Sequence, residues 1–275
     1  MASLRPPGWL IYPVAVGLLL AGAARHRGYA DAPPTPPALP SGEGAILAQA
    51  SPLDLVATAK VRPGEQVGTA FSVADKGVWL TAARTLAHCA HPAIVVNGVG
   101  VPANASVSPG AEAAVLTTAS GAPALPISAA SLRSEELGYA AGFPQGRPGE
   151  AATRLLGRRT LYLRPRGAHG LTVLAWAEAG RTQGLAGPMT PGLVGAPVLD
   201  QDGAVVGIVL SEAPRRGRLY VAAPAAVASA LATAKASRPA GAAGFPLTPD
   251  NYGLAGDDLR RSLRIAPVAC VSARS

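Results

Sequence analysis

From about Val56 onward the chain is a succession of short apolar runs separated by clusters of Gly, Pro, Asp and Asn. Runs of this length, cut off by turn formers, predict strands rather than helices. The first two, QVGTAFSV (66–73) and GVWLTA (77–82), flank Ala74-Asp75-Lys76 and predict a hairpin. Further strands are predicted at AIVVNG (93–98), EAAVLTT (112–118), LGYAAGF (137–143), LLGRRTLYL (155–163), LTVLAWAE (171–178), PVLD (197–200), AVVGIVL (204–210) and LYVAA (219–223). The segment between Thr118 and Leu137 reads as a crossing between two halves. Helical spacing is clearest in PAAVASALATAKAS, which has Pro224 in its first turn and Val227, Leu231 and Ala234 on one face. DDLRRSLRI predicts a short helix before a last strand ending near Cys270. Many short strands with little helix between them predict an all-β sandwich or barrel.

Composition agrees with the pattern. The 275 residues are 49% hydrophobic but only 4% aromatic, with 32 Gly and 27 Pro, so turns are frequent. Alanine is so common that helix propensity alone would overstate helix, and periodicity takes precedence. The N-terminal residues break the pattern. Pro6 to Ala24 carry no charge, and WLIYPVAVGLLLAGAA reads as a signal peptide or membrane anchor over residues 1–24. Ala21-Gly22-Ala23 has the small-x-small form of a cleavage site, while Arg5 and the amino terminus balance Arg25 and Arg27, so charge does not set an orientation. A Pro/Ala-rich linker follows over 25–54, where DAPPTPPALP favours an extended polyproline-like spacer. The expected location is periplasmic or extracellular, with the inner membrane as a partner through the N-terminal segment if that segment is kept.

The formal net charge is +8, carried by arginine runs at Arg158, Arg159, Arg164 and Arg166 and at Arg215, Arg216 and Arg218. These runs lack interleaved aromatics and sit in no nucleic-acid-binding motif, so no nucleic-acid partner is expected. The two cysteines, Cys89 and Cys270, have no CxxC or Cys/His spacing, so no metal is expected, and no cofactor fingerprint is present. In an exported chain two cysteines are expected to pair. That bridge would close a loop of about 180 residues, worth about 5 kcal/mol in the chain-entropy model.

Three segments, in order, resemble the trypsin-like serine protease family in its bacterial exported form. GTAFSVADKGVWLTAARTLAHC is similar to the segment that holds the general-base histidine after Thr-Ala-Ala, and here that position is Arg84. PGAEAAVLTT resembles the segment of the orienting aspartate, with Glu112 in its place, and GLVGAPVLDQDGAVVGIV resembles the nucleophile loop, with Val194 where the serine stands. GYAAGFPQG (138–146) resembles a strand of the family's second barrel. The resemblance implies two six-stranded antiparallel β-barrels, a first over 55–130 and a second over 131–223, with a C-terminal helix and tail over 224–275.

The chemistry that the resemblance would bring is absent from these residues. A valine side chain has no lone pair to attack a carbonyl, and a guanidinium stays protonated, so neither residue performs its family role. The backbone of Gly192 and Val194 is left as the relic of an oxyanion hole. Glu112 keeps the negative charge and is expected to pair with Arg84. His88 and His91 lie close to the old base position, and Thr190 and Ser211 flank the nucleophile loop at the wrong offsets; His88 reads as an ordinary surface or capping residue, and His169, in the RGAHG turn, as solvent-exposed. The implied function is a pseudoprotease, exported or membrane-tethered, that binds a protein or peptide. The alternative is an active serine endopeptidase with an atypical or misaligned site.

Overall fold

The computed structural model describes the backbone of residues 55–60, 68–164, 170–182, 184–236 and 246–270. The signal or anchor segment, the linker before residue 55 and His169 lie outside the described residues. Among the described residues no helix is long and apolar enough to cross a membrane. In chain order the strands are β1 (Leu55–Lys60), β2 (Gly68–Ala74), β3 (Val78–Ala82), β4 (Pro92–Val96), β5 (Val99–Pro102), β6 (Asn104–Ser106) and β7 (Ala113–Thr117). They are followed by β8 (Leu137–Gly142), β9 (Gly149–Arg164), β10 (Leu171–Arg181), β11 (Pro197–Leu199), β12 (Val205–Ala213) and β13 (Arg218–Ala222). Two helices, α1 (Pro224–Thr233) and α2 (Tyr252–Arg261), precede the last strand, β14 (Ile265–Cys270).

The strands form two barrel-like sheets, as expected for a trypsin-like fold. The second barrel is closed: β8, β9, β10, β13, β12 and β11 follow one another in space and β11 returns to β8. Its interior is packed by Leu155, Leu174, Trp176, Val198, Val209 and Val221, all under 2% exposed. Each large apolar side chain buried this completely contributes about 1.5–3 kcal/mol. Strand β9 is long because it serves three neighbours. Residues 149–154 pair with β8, Thr160 to Arg164 pair in parallel with β1, and β10 runs along both parts. The bend between them is a bulge at Leu156-Gly157, where the register against β10 shifts and Gly157 takes φ +135°, a region that favours glycine.

The first barrel is nearly closed, with strand order β5-β4-β14-β2-β3-β7-β6. Its two end strands are consecutive in the chain, turned about Ala103, whose N–H donates to the Pro92 carbonyl at 2.9 Å. Two segments belong to the sheet away from their place in the sequence. Residues 55–60, placed by the sequence reading at the start of the first barrel, form β1 against β9 of the second. β14, expected as part of a tail, runs between β2 and β4 as a full strand of the first barrel. The Cys89–Cys270 disulfide fastens its end there, closing the expected loop with a separation of 181 residues.

The crossing after Thr118 packs inward. Leu125 N–H donates to Ser72 O, and Ser128 N–H to Val205 O, so this segment hydrogen-bonds to both sheets without forming a long strand. α1 buries Val227, Ala230 and Leu231. α2 is held by its Arg260, which pairs with the carboxylate of the buried Glu150, donates to Gly142 O at 3.1 Å and lies over the Phe143 ring. Gly256 of α2 approaches Glu150 so closely that a β-carbon there would overlap its side chain.

Candidate functional site

The site lies where the turn after β3, the start of β7 and the loop before β11 meet strand β12. Each part is set by local sequence. The hairpin β2–β3 delivers the Gly68-Thr69 pair and, at its far end, a one-turn helix over Ala83–Leu86 that carries Arg84. The loop from Met189 to Ala196 is a chain of tight turns, with Leu193 N–H donating to Met189 O and Val194 N–H to Pro191 O, the latter at 2.8 Å.

Thr69 fastens that loop to the first barrel. Its N–H donates to Val194 O at 2.8 Å, and its hydroxyl donates to Gly192 O at 2.8 Å while accepting from Phe143 N–H at 3.2 Å. Thr81 supports it from behind, donating its hydroxyl to Thr69 O. The fit leaves no room for side chains. At Gly192 a β-carbon would collide with the Phe143 carbonyl oxygen, and at Gly195, with φ +89°, it would collide with Thr69 O and the Thr81 hydroxyl. These contacts give a physical reason for Thr69 in β2 and for the glycines of GLVGAP.

The sequence-predicted positions converge in part. Arg84, half-buried, donates Nη1 to the carbonyl oxygen of Leu210 on β12, and the next residue back, Val209, accepts from Gly195 N–H at 2.8 Å. Val194 is 5% exposed. Glu112 adjoins the same turn through its backbone, its carbonyl accepting from Ala83 N–H at 2.9 Å. The expected ion pair between Arg84 and Glu112 does not form. Burial lowers the Arg84 pKa to about 10 and raises that of Glu112 to about 7. An opposite charge in contact would move each the other way, and neither shift carries such a contribution. The physical reason is direction: the Glu112 side chain lines a separate cavity beneath α1, whereas Arg84 reaches across to β12.

Of the oxyanion-equivalent backbone, the Gly192 carbonyl accepts from Thr69 and the Val194 N–H is engaged. An oxyanion hole needs an N–H aimed at the place where negative charge develops. The Val194 N–H points to Pro191 O instead. His88 and His91 are exposed on the surface beyond the one-turn helix, and Cys89 between them is in the disulfide.

Beside the loop, Glu212 at the end of β12 is 8% exposed, and one carboxylate oxygen accepts from Met189 N–H at 2.8 Å and Thr190 N–H at 3.0 Å. Arg181 lies 3.8 Å from its other oxygen. Burial raises the pKa of this carboxyl, and the backbone donors and Arg181 act against that rise. Glu212 therefore ties the end of β12 to the backbone of Met189 and Thr190. Sequence reasoning missed Thr69 and Glu212 as site-forming residues. The latter had a signal, a single charge closing the apolar run VVGIVLSE.

The arrangement at Arg84, Glu112 and Val194 holds a fixed cation against a carbonyl, a carboxyl facing elsewhere and a buried isopropyl group. Around it stands the architecture of a trypsin-like peptidase. The model of the trypsin-like peptidase domain matches residues 68–208, more than half of the 275 residues, and the chain belongs to that family. No curated protein matches the sequence. Among solved structures it is similar to the Rv3671c protease of M. tuberculosis in its active form, at 21% identity and TM-score 0.52, over 63% of this chain and 76% of that one. The inactive form of the same protease matches at 19% identity and TM-score 0.50, covering 61% and 88%. The MamO protease domain of Magnetospirillum magneticum matches at 15% identity and TM-score 0.46, covering 59% and 93%. At these identities the likeness to the M. tuberculosis protease establishes the fold.

Proposed function

We propose that this chain is a non-catalytic member of the trypsin-like peptidase family, a pseudoprotease that acts by binding a protein or peptide. Val194 carries the reading. The position that in this family supplies both the nucleophile and an oxyanion-hole donor here has no hydroxyl, a buried side chain and an N–H already bonded to Pro191 O. Arg84 adds to it, because a guanidinium bonded to Leu210 O neither accepts a hydroxyl proton nor leaves that carbonyl free for an extended peptide strand. Binding therefore falls to surfaces other than this edge of β12.

The Cys89–Cys270 disulfide supports an oxidising location outside the cytoplasm, and the uncharged N-terminal segment supports export or tethering. The test is active-site labelling of the full chain with a fluorophosphonate, together with release of fluorescent fragments from a denatured protein substrate. Neither signal is expected above that of a heat-unfolded control. Stoichiometric labelling would overturn the reading and favour an endopeptidase with an unrecognised serine.

A further inference from the structure

A cavity of about 500 Å³ opens between the start of β7, strands β9 and β10 and the face of α1. That volume lies within the range of small-molecule sites, about 300–1,000 Å³. Its wall carries two opposite charges that do not satisfy one another. The Glu112 carboxyl has no hydrogen-bond or ion-pair partner among the described residues, and burial alone raises its pKa to about 7. Arg158 stands in the same lining, partly exposed and with no ion pair to Glu112. Ser106, Ser108, Thr172, Ser229 and Thr233 complete the polar lining, and the remainder is mostly alanine. Ser108 and Thr233 face each other at 3.4 Å at its exposed rim.

We infer that this cavity binds a small zwitterion, an amino acid or short peptide, with its ammonium against Glu112 and its carboxylate against Arg158. A simple anion in the same space would be repelled by Glu112, and a simple cation by Arg158. A zwitterion neutralises both walls at once and gives each charge a partner of opposite sign. The volume takes more than the smallest amino acids, and the hydroxyls offer partners to a peptide amide.

The proposal does not depend on the reading of Val194 and has its own test. Titration calorimetry of the full, disulfide-bonded chain would use alanyl-alanine as the probe, with N-acetylalanine (carboxylate only) and alanine amide (ammonium only) beside it. The dipeptide should bind, and each half-probe should bind at least about tenfold more weakly, the loss of one charge-assisted contact of about 1.4 kcal/mol. Arg158 and Glu112 are the charged side chains lining the cavity, and neither β7 nor α1 contributes a titratable residue. Dipeptide affinity should therefore fall several-fold from pH 8 to pH 6 as Glu112 takes up its proton. Glu112→Gln should abolish that pH dependence, and Arg158→Ala should remove the preference for the dipeptide over alanine amide. Absence of dipeptide binding at millimolar concentration, or equal binding of the dipeptide and either half-probe by the wild-type chain, would overturn the proposal without recourse to any variant.

Discussion

Every strand of the closed second barrel comes from one stretch of chain, β8 to β13, whereas the first barrel, built from β2 to β7, takes β14 from the end of the sequence and seats it between β2 and β4. The contrast separates local from long-range closure. Neighbours in the second barrel are joined by short turns or by crossings within the same stretch. The first barrel depends on a strand almost two hundred residues away, with ladder bonds on both its edges and a disulfide at its tip. Stability in the first barrel is therefore tied to the fate of the C-terminal segment.

The sharpest way to break the comparison is to end the chain after Leu263. β2 and β4 then lose the strand between them, and the first barrel should lose its cooperative fold. Hydrogen exchange should show their amides unprotected while those of β9, β10 and β13 remain slow; retained protection in β2 and β4 would mean that β14 is an accessory strand. Next in size is Arg260→Ala, which leaves Glu150, at 1% exposure, without its buried cation. The expected loss is about 3–5 kcal/mol in urea unfolding. Since Arg260 ties α2 to the second barrel, a loss under about 1 kcal/mol would show that β14 alone positions the C-terminal segment.

Removing the disulfide by a Cys89→Ser, Cys270→Ser double variant should cost about 2–4 kcal/mol, less than truncation, because the ladder bonds of β14 survive. The smallest effect separates the two charges of the candidate site. Glu112 holds its proton more tightly in the fold, with a pKa of about 7 against its ordinary 4.5. Stability from this group is therefore fully present below pH 4.5 and is lost as pH rises through 7. At about 1.4 kcal/mol per pKa unit, reduced by partial solvent screening, the change is about 1–3 kcal/mol. Glu112→Gln should flatten that part of the thermal-stability profile. An unaltered profile would return Glu112 to a pairing that its present surroundings do not provide.

Much of this fold was legible in the sequence because period and turn chemistry are local. The hairpin over 66–82, the strands at 93–98, 112–118 and 137–143, and Pro224 opening α1 follow from residues close together in the chain. The short strands β5 and β6 escaped because VGVP and NAS, in their exposed setting, carry no apolar alternation to read. The partners of β1 and β14 escaped for a different reason: strand pairing across a chain depends on register and on which edge stays open, and neither is encoded within a strand. The same limit applies at the site. Residue types at Arg84 and Val194 could be read directly, but the direction of Glu112 and the turn that engages the Val194 N–H depend on packing against α1 and on the loop from Met189.

The placement of β14 also bears on the order in which the molecule can be assembled. A chain made from its N-terminus presents β2 and β4 early, yet the strand that separates them, β14, follows every strand of the second barrel. The N-terminal barrel is thus the later one to be completed, and until then two strand edges stand open to other chains.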